Sequence, residues 1–342
     1  MTDIKSMTGE ELEAALREMG LPRYRADQLF HWMHVSLARD YEEMRNLPAA
    51  MKEMLRRTCE YRTVRMEDRQ ISAADGTQKF LFALPDGNLV ESVFMRYHFG
   101  NSVCISSQVG CRMGCRFCAS TLNGWERNLT PSEMLEQVYE IRRVTGEKVS
   151  HVVVMGTGEP LDNYDALVRF IRLISDPKGM ALSQRNITVS TCGIVPCIRE
   201  LAREKLQITL ALSLHAATDR QRREIMPVAG QYSIAETMEA MRFYYETTGR
   251  QVTFEYTLIR GVNDASADVE GLAGLALPVR AHVNLIPVNP VRERGYAQTE
   301  AGAVQAFKNK LEKSGVNVTI RREMGRDIDG ACGQLRRRHI LS

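Results

Sequence analysis

From Val103 onward, short apolar runs rich in strand-forming residues alternate with stretches of helical periodicity, and this alternation constrains the fold more than any other feature. The runs cover residues 103–107, 150–155, 186–191, 208–214, 251–259, 281–286 and 316–321. Between them, Thr130-Pro131-Ser132-Glu133 and Ser233-Ile234-Ala235-Glu236 each set a hydroxyl three residues ahead of a glutamate, the pattern of a capped helix start. Repeated strand–helix units need crossover connections and therefore a parallel sheet. An α/β fold is predicted, a closed or partial (β/α) barrel spanning 103–342. In such a barrel the chemistry gathers where strands end and the following loops begin.

Ahead of the barrel, residues 1–60 read as a small helical accessory domain. Thr8 and Glu11 form a capping pair, Leu12, Ala15, Leu16 and Met19 recur at helical spacing, and Gly20 and Pro22 stop the helix. A second amphipathic stretch holds Leu29, Phe30, Trp32 and Met33, and a third holds Met51, Met54 and Leu55 beyond the breaker Asn46-Leu47-Pro48. Residues 78–84 and 89–95 flank the turn cluster Pro85-Asp86-Gly87-Asn88 and predict a β-hairpin, so 61–102 is expected to link the two domains. Nothing resembles a membrane span or a secretory leader, which predicts a cytoplasmic protein with reduced thiols and no membrane partner.

Under those conditions the 8 cysteines are not a disulfide framework, and three of them crowd into one loop. Gly110-Cys111-Arg112-Met113-Gly114-Cys115-Arg116-Phe117-Cys118 follows the first barrel strand directly. A short glycine-containing loop can wrap three thiolates around an iron–sulfur cubane, and three ligands for four irons leave one iron open to substrate. A zinc knuckle completed by Cys104 or a distant histidine is the alternative. The net charge of +3 is too small to announce a nucleic-acid partner, although Arg321, Arg322, Arg326 and Arg336, Arg337, Arg338 crowd the C-terminal end. Taken alone, that cluster reads as a solvated tail.

The cysteine loop resembles that of the radical S-adenosylmethionine (SAM) superfamily, whose partial (β/α) barrel it implies. The likeness extends through Cys104 to Cys111, Arg127-Asn128-Leu129, Met155-Gly156-Thr157-Gly158-Glu159-Pro160, Ser213-Leu214-His215 and Asp327 to Leu335, and reaches Tyr24-Arg25-Ala26-Asp27-Gln28 in the helical domain. These segments are similar to the RlmN/Cfr family of RNA methyltransferases. The resemblance implies one [4Fe-4S] cluster on Cys111, Cys115 and Cys118. It implies SAM contacts from Gly158, Glu159, Ser190, Ser213, Leu214, His215 and Asn289. It also implies a methyl-carrying Cys332, a resolving Cys104 that forms a transient disulfide with it, and Glu91 as proton acceptor.

The implied substrate is C2 of adenosine 2503 in 23S rRNA and of adenosine 37 in tRNA, with a flavodoxin or ferredoxin as electron donor to a monomer. Read without the resemblance, Ser190 is a strand-end hydroxyl, Asn289 shapes a turn before Pro290, Glu91 faces solvent from an edge strand and Cys332 is a small buried apolar residue. Cys59, Cys192 and Cys197 read as packing. Arg23, Arg25, Arg56 and Arg57 are candidates to grip RNA, which would make the helical domain an RNA-binding element. Two positions depart from the family pattern: Thr157 stands where Met is frequent, and Gly330 where Ala is frequent. Two other readings stay open: Cfr-type methylation at C8, and a non-enzymatic RNA-binding protein with a structural metal.

Overall fold

A computed structural model describes residues 1–291, 293–328 and 335. Helix α1 (Gly9–Glu18) opens on the expected box: the Thr8 hydroxyl accepts the Glu11 N–H at 3.3 Å, and the Glu11 carboxylate accepts the Thr8 N–H at 2.9 Å. With α2 (Tyr24–His34) and α3 (Ala49–Thr58) it buries Leu12, Leu16, Leu29, Phe30, Met51 and Leu55.

Among the described residues, the main sheet has ten strands arranged in chain order. They are β1 (Arg65–Ile71), β2 (Gln78–Ala83), β3 (Leu89–Tyr97) and β4 (Gly100–Ile105), followed after α4 (Pro131–Thr145) by β5 (His151–Val154). Helix α5 (Tyr164–Ile174) leads to β6 (Ile187–Thr191), α6 (Val195–Arg203) to β7 (Thr209–Ser213), and α7 (Asp219–Ile225) with α8 (Ile234–Thr248) to β8 (Val252–Leu258). Helices α9 (Ser266–Ala276) and α10 (Ala301–Lys313) separate β8, β9 (His282–Pro287) and β10 (Asn317–Ile320). Strands β4 to β10 are parallel, as the strand–helix alternation predicts, while β1 to β4 are antiparallel. β1 and β10 remain the two edges, so the (β/α) barrel is partial.

Register explains how one face of this sheet becomes a reaction chamber. Residues alternate across a strand, and Val152, Val154, Ile187, Val189, Leu210 and Leu212 all join the apolar core against the helices. The opposite face carries Cys104, Ser190, Ser213, Glu255 and Asn284, connected through the pairs Ser190↔Ala211, Ser213↔Glu255 and Glu255↔Asn284. A parallel sheet apolar on both faces would be ordinary packing. Polar residues on one face mark a lining.

The hairpin expected as a linker is part of this sheet. Its second strand pairs with the first barrel strand (Val93↔Cys104, Phe94↔Val103), and β1, absent from the sequence reading, pairs with β2 as an edge. The helical domain also shares the barrel's apolar core. Lys5, with no solvent exposure, reaches Glu136 on α4 at 2.7 Å and the Arg62 carbonyl at 2.8 Å. Short hydrogen bonds also join Asp3 and Ser6 to Ser132. No helix among the described residues is long and apolar enough to cross a membrane.

His34 adds a pH dependence to this junction. Its Nδ1 lies 2.9 Å from the Tyr139 hydroxyl, its Nε2 meets no polar partner among the described residues, and burial lowers its pKa to about 3. The unfolded chain therefore takes up a proton near pH 6.5 that the folded chain refuses. Stability is complete above pH 6.5 and falls by about 1.4 kcal/mol per pH unit below it. Urea unfolding at pH 7 and pH 5 is expected to differ by about 2 kcal/mol through this residue, a difference that His34→Gln removes.

Candidate active site

The strand ends bring the sequence-predicted residues to one rim. The cysteine loop leaves the end of β4, Gly158 and Glu159 follow β5, Ser190 lies near the end of β6, Ser213 ends β7 with Leu214 and His215 just after it, and Asn289 follows β9. Cys332 and Gly330, and the arginines at 336–338, lie outside the described residues.

The cysteine loop is pinned by its backbone. The Cys111 N–H donates to the Gly124 carbonyl at 2.8 Å, and the Arg116 N–H donates to the Ile225 carbonyl on α7 at 2.9 Å. The Thr121 hydroxyl donates to the carbonyls of Cys115 and Cys118 at 3.2 and 3.0 Å. Gly110 has φ +78°, and a Cβ there would fall 2.1 Å from the Gly124 oxygen. Gly110→Ala is expected to cost at least about 1–2 kcal/mol and to displace Cys111. Iron bound per chain after reconstitution should then drop by more than half.

The loop thiols lie close together: charge on Cys118 raises the pKa of both Cys111 and Cys115, and charge on Cys111 raises that of Cys115. Burial, the larger effect, pushes Cys111 up to about 12 and raises Cys115 as well. Such thiols ionise only where bound iron or another cation offsets the cost. No three His, Cys, Asp or Glu side chains among the described residues stand as a ligand set for a single ion. A cubane is larger than one ion and spreads its ligands further apart, so the three soft donors on a wrapped loop fit the cluster.

Around this loop the SAM candidates form a connected frame. Glu159 is enclosed: its Oε1 accepts the Leu161 N–H at 3.0 Å, its Oε2 accepts the Cys192 N–H at 2.7 Å, and burial raises its pKa. A carboxylate held among neutral donors is relieved by an incoming ammonium, the charge that the amino group of SAM carries. Gly158, at φ +111°, lets this loop press against Ser107 and Gln108, where a Cβ would meet side-chain atoms at 2.7 Å. Gln108 completes the junction, accepting the Glu159 N–H and donating to Asn128 and Asp162, each at 2.8 Å. Thr157 fits without strain, buried with its hydroxyl 3.3 Å from that of Ser120.

The hydroxyls of Ser190 and Ser213 lie 3.1 Å apart. Leu214 is fully buried. His215 adopts φ +56°, a conformation costly for a side chain of this size. Its Nδ1 accepts the Thr257 N–H at 3.0 Å, and burial lowers its pKa to about 3, so the ring is a neutral Nε2–H donor. Its edge meets Phe117 in the cysteine loop, with ring centroids 4.9 Å apart.

Cys104 and Asn289 line one cavity of about 330 Å³ together with Val93, Met95, Tyr97 and Met324. Glu91 is buried rather than solvent-facing, and its Oε2 lies 3.0 Å from the Nζ of the equally buried Lys79. The pairs Lys79↔Val93 and Val93↔Cys104, with Glu91 two residues from Val93, put Lys79, Glu91 and Cys104 on one face of the sheet. Lys79, Gln108 and Arg222 were not read from the sequence, nor was the part played by the Cys192 backbone. Of the helical-domain arginines, Arg23 pairs with Glu13 at 3.1 Å, Arg56 pairs with Glu42, and Arg25 bonds Gln28 and the Asn46 carbonyl. Arg23 and Arg56 thus have carboxylate partners inside the domain, whereas the bonds of Arg25 go to neutral groups.

Residues 105–273 match the model of the radical SAM superfamily, and residues 2–61 match that of the ribosomal RNA large subunit methyltransferase N-terminal domain. Among curated proteins the chain is 58% identical over 340 residues, 99% of its length and 97% of the relative's, to the probable dual-specificity RNA methyltransferase RlmN of Lachnospira eligens. It is 57% identical to the protein of the same description from Lachnoclostridium phytofermentans, covering 98% of this chain and 94% of that one. Among solved structures, a radical SAM methyltransferase from Sphaerobacter thermophilus superposes with a TM-score of 0.93 at 41% identity, over 98% of this chain and 99% of that one. With the barrel, the cysteine loop and both domain matches in place, the chain belongs to the RlmN family of radical SAM-dependent RNA methyltransferases.

Proposed function

We propose that this enzyme methylates C2 of adenosine 2503 in 23S rRNA and of adenosine 37 in tRNA through a methylated Cys332. The observation that carries the proposal is the shared sheet face of Glu91 and Cys104 beside the 330 Å³ cavity, at the same strand ends as the cysteine loop. Adenine C2 lies between two ring nitrogens and is too electron-poor to attack a methyl cation donor, so a radical route is required. When bound, the cluster on Cys111, Cys115 and Cys118 would supply one electron, one SAM would supply the methyl group, and a second SAM would supply a hydrogen-abstracting 5′-deoxyadenosyl radical.

The protein residues then have distinct tasks. Cys332, as thiolate, accepts the methyl group and presents it to the adenine. Glu159 orients the SAM amino group by charge, Gly158 allows close backbone approach, and Ser190, Ser213, Leu214, His215 and Asn289 shape the rest of that pocket. The neutral His215 offers an N–H without adding positive charge. Glu91 takes the proton lost from C2 as the ring regains aromaticity, and the unpaired electron of the adduct would return to the cluster that supplied it. The Cys104 thiolate attacks the Cys332 sulfur, the sulfur–carbon bond breaks, and the freed carbon takes up a proton to become the methyl group of the RNA, leaving a disulfide that external thiols reduce. The enzyme is read as a cytoplasmic monomer fed by a flavodoxin or ferredoxin.

The test is anaerobic incubation of cluster-reconstituted protein with SAM, reductant and unmodified 23S rRNA or tRNA, followed by nucleoside mass spectrometry. 2-Methyladenosine is the expected product, lost in Cys332→Ala. Only 8-methyladenosine would move the enzyme to Cfr-type chemistry, and no methylated adenosine from an intact cluster would overturn the proposal.

A further inference from the structure

Arg222 on α7 has no solvent exposure and heads the fully buried side chains ranked by size. Its Nε donates to the Leu214 carbonyl at 3.1 Å, and its Nη2 donates to the Cys192 carbonyl at 2.6 Å and the Ser213 carbonyl at 3.4 Å. Its Nη1 is buried and meets no acceptor among the described residues. No carboxylate among the described residues pairs with the guanidinium within 4.0 Å. A buried cation with neither a counter-ion nor a full set of acceptors is costly. A guanidinium does not escape that cost by releasing its proton.

The negative charge that would repay it lies within reach. Cys192 and then Cys115 are the side chains whose charge acts most on the guanidinium, and Cys115, which packs against the cluster of Cys192 and Ile225, becomes a thiolate when it ligates iron. The same helix holds the cysteine loop directly, through the Arg116 N–H on the Ile225 carbonyl at 2.9 Å. Arg222 thus binds the loops after β6 and β7 from below while its helix end binds the cluster loop. We infer that Arg222 is the fixed positive charge of the cluster site, a positioning residue that directs its remaining N–H toward the Cys115 side of the cluster and makes the cluster easier to reduce.

The reduced cluster carries one more negative charge than the oxidised one, so a fixed cation nearby favours reduction, and an N–H on a ligating sulfur acts in the same direction. The inference rests on the cysteine loop being a cluster site. That premise is tested separately by iron content and the reduced-cluster EPR signal of the wild-type protein.

The experiment is an EPR-monitored redox titration of reconstituted protein without SAM or RNA, comparing wild type, Arg222→Lys and Arg222→Gln. Arg222→Gln is expected to lower the reduced-to-oxidised ratio at a fixed poise tenfold, a shift of about 59 mV to more negative potential. Arg222→Lys, which keeps the charge, should recover most of it. Wild-type potentials in both variants at full iron loading would overturn the inference. If Arg222→Gln fails to take up iron, protein grown on ¹⁵N-arginine decides. Arg112 and Arg116 in the loop give couplings common to both proteins; an additional nitrogen hyperfine coupling is expected in wild type and lost in Arg222→Lys, and an equal pattern in the two proteins would overturn the inference.

Discussion

Cys115→Ala is expected to fold normally yet hold little iron after reconstitution, form no 5′-deoxyadenosine and produce no methylated adenosine. Cys115 is only partly buried, and its loop is held by the backbone N–H groups of Cys111 and Arg116 and by the Thr121 hydroxyl, bonds that the substitution leaves in place. The thermal midpoint of the metal-free protein should therefore stay close to wild type. Cys192→Ala is the informative contrast. Its thiol is buried in the apolar cluster of Ala216, Ile225 and Met226 and bonds Glu159, but Glu159 keeps the Cys192 N–H and Arg222 keeps the Cys192 carbonyl when the thiol is removed. That variant should lose about 1 kcal/mol of stability and keep most of its iron. Equal iron in Cys115→Ala and Cys192→Ala would contradict the ligand assignment.

The second large effect is on stability. Lys79 and Glu91 form an ion pair with side-chain exposures of 0% and 4%. Removing the cation leaves the carboxylate in a low-dielectric sheet face without that partner, which costs about 3–5 kcal/mol. Lys79→Met should lower the urea midpoint accordingly. Lys79→Met with Glu91→Gln should recover more than half of the loss, because a neutral amide no longer needs the charge. A double variant as unstable as Lys79→Met alone would show that packing of the lysine stem matters, and the ion pair does not. The double variant should still be inactive if Glu91 takes the proton from C2, and measuring product alongside unfolding separates the two roles.

Some of this was open to reading from residue order, and some was not, for identifiable reasons. The barrel strands are short apolar runs between capped helices, so their number and parallel sense follow from pattern. β1 was missed because Arg65-Met66-Glu67-Asp68-Arg69-Gln70-Ile71 is a charged edge strand, and its fit to the sheet depends on pairing with β2. The hairpin was recognised, but pairing to β4 is a long-range fact that local turn chemistry does not contain.

In the site, residues with distinctive chemistry in a distinctive spacing stood out: Cys111, Cys115, Cys118, and Glu159 after two glycines. Arg222 did not, because a basic residue in Asp219-Arg220-Gln221-Arg222-Arg223-Glu224 looks like a solvated helix face until tertiary packing buries it. Lys79 hid for the same reason. Much of the Cys192 contribution comes from its backbone N–H and carbonyl, which leave no mark in residue order.

The two-cysteine transfer is the centre of the mechanism, and Cys104→Ala tests it most directly. With SAM, reductant and RNA under anaerobic conditions, loss of the resolving thiol should let the Cys332–adenine adduct accumulate. Denaturing electrophoresis should then show a covalent protein–RNA band that mass spectrometry maps to Cys332, with little free 2-methyladenosine. Undiminished release of 2-methyladenosine from Cys104→Ala, with no covalent band, would contradict the mechanism.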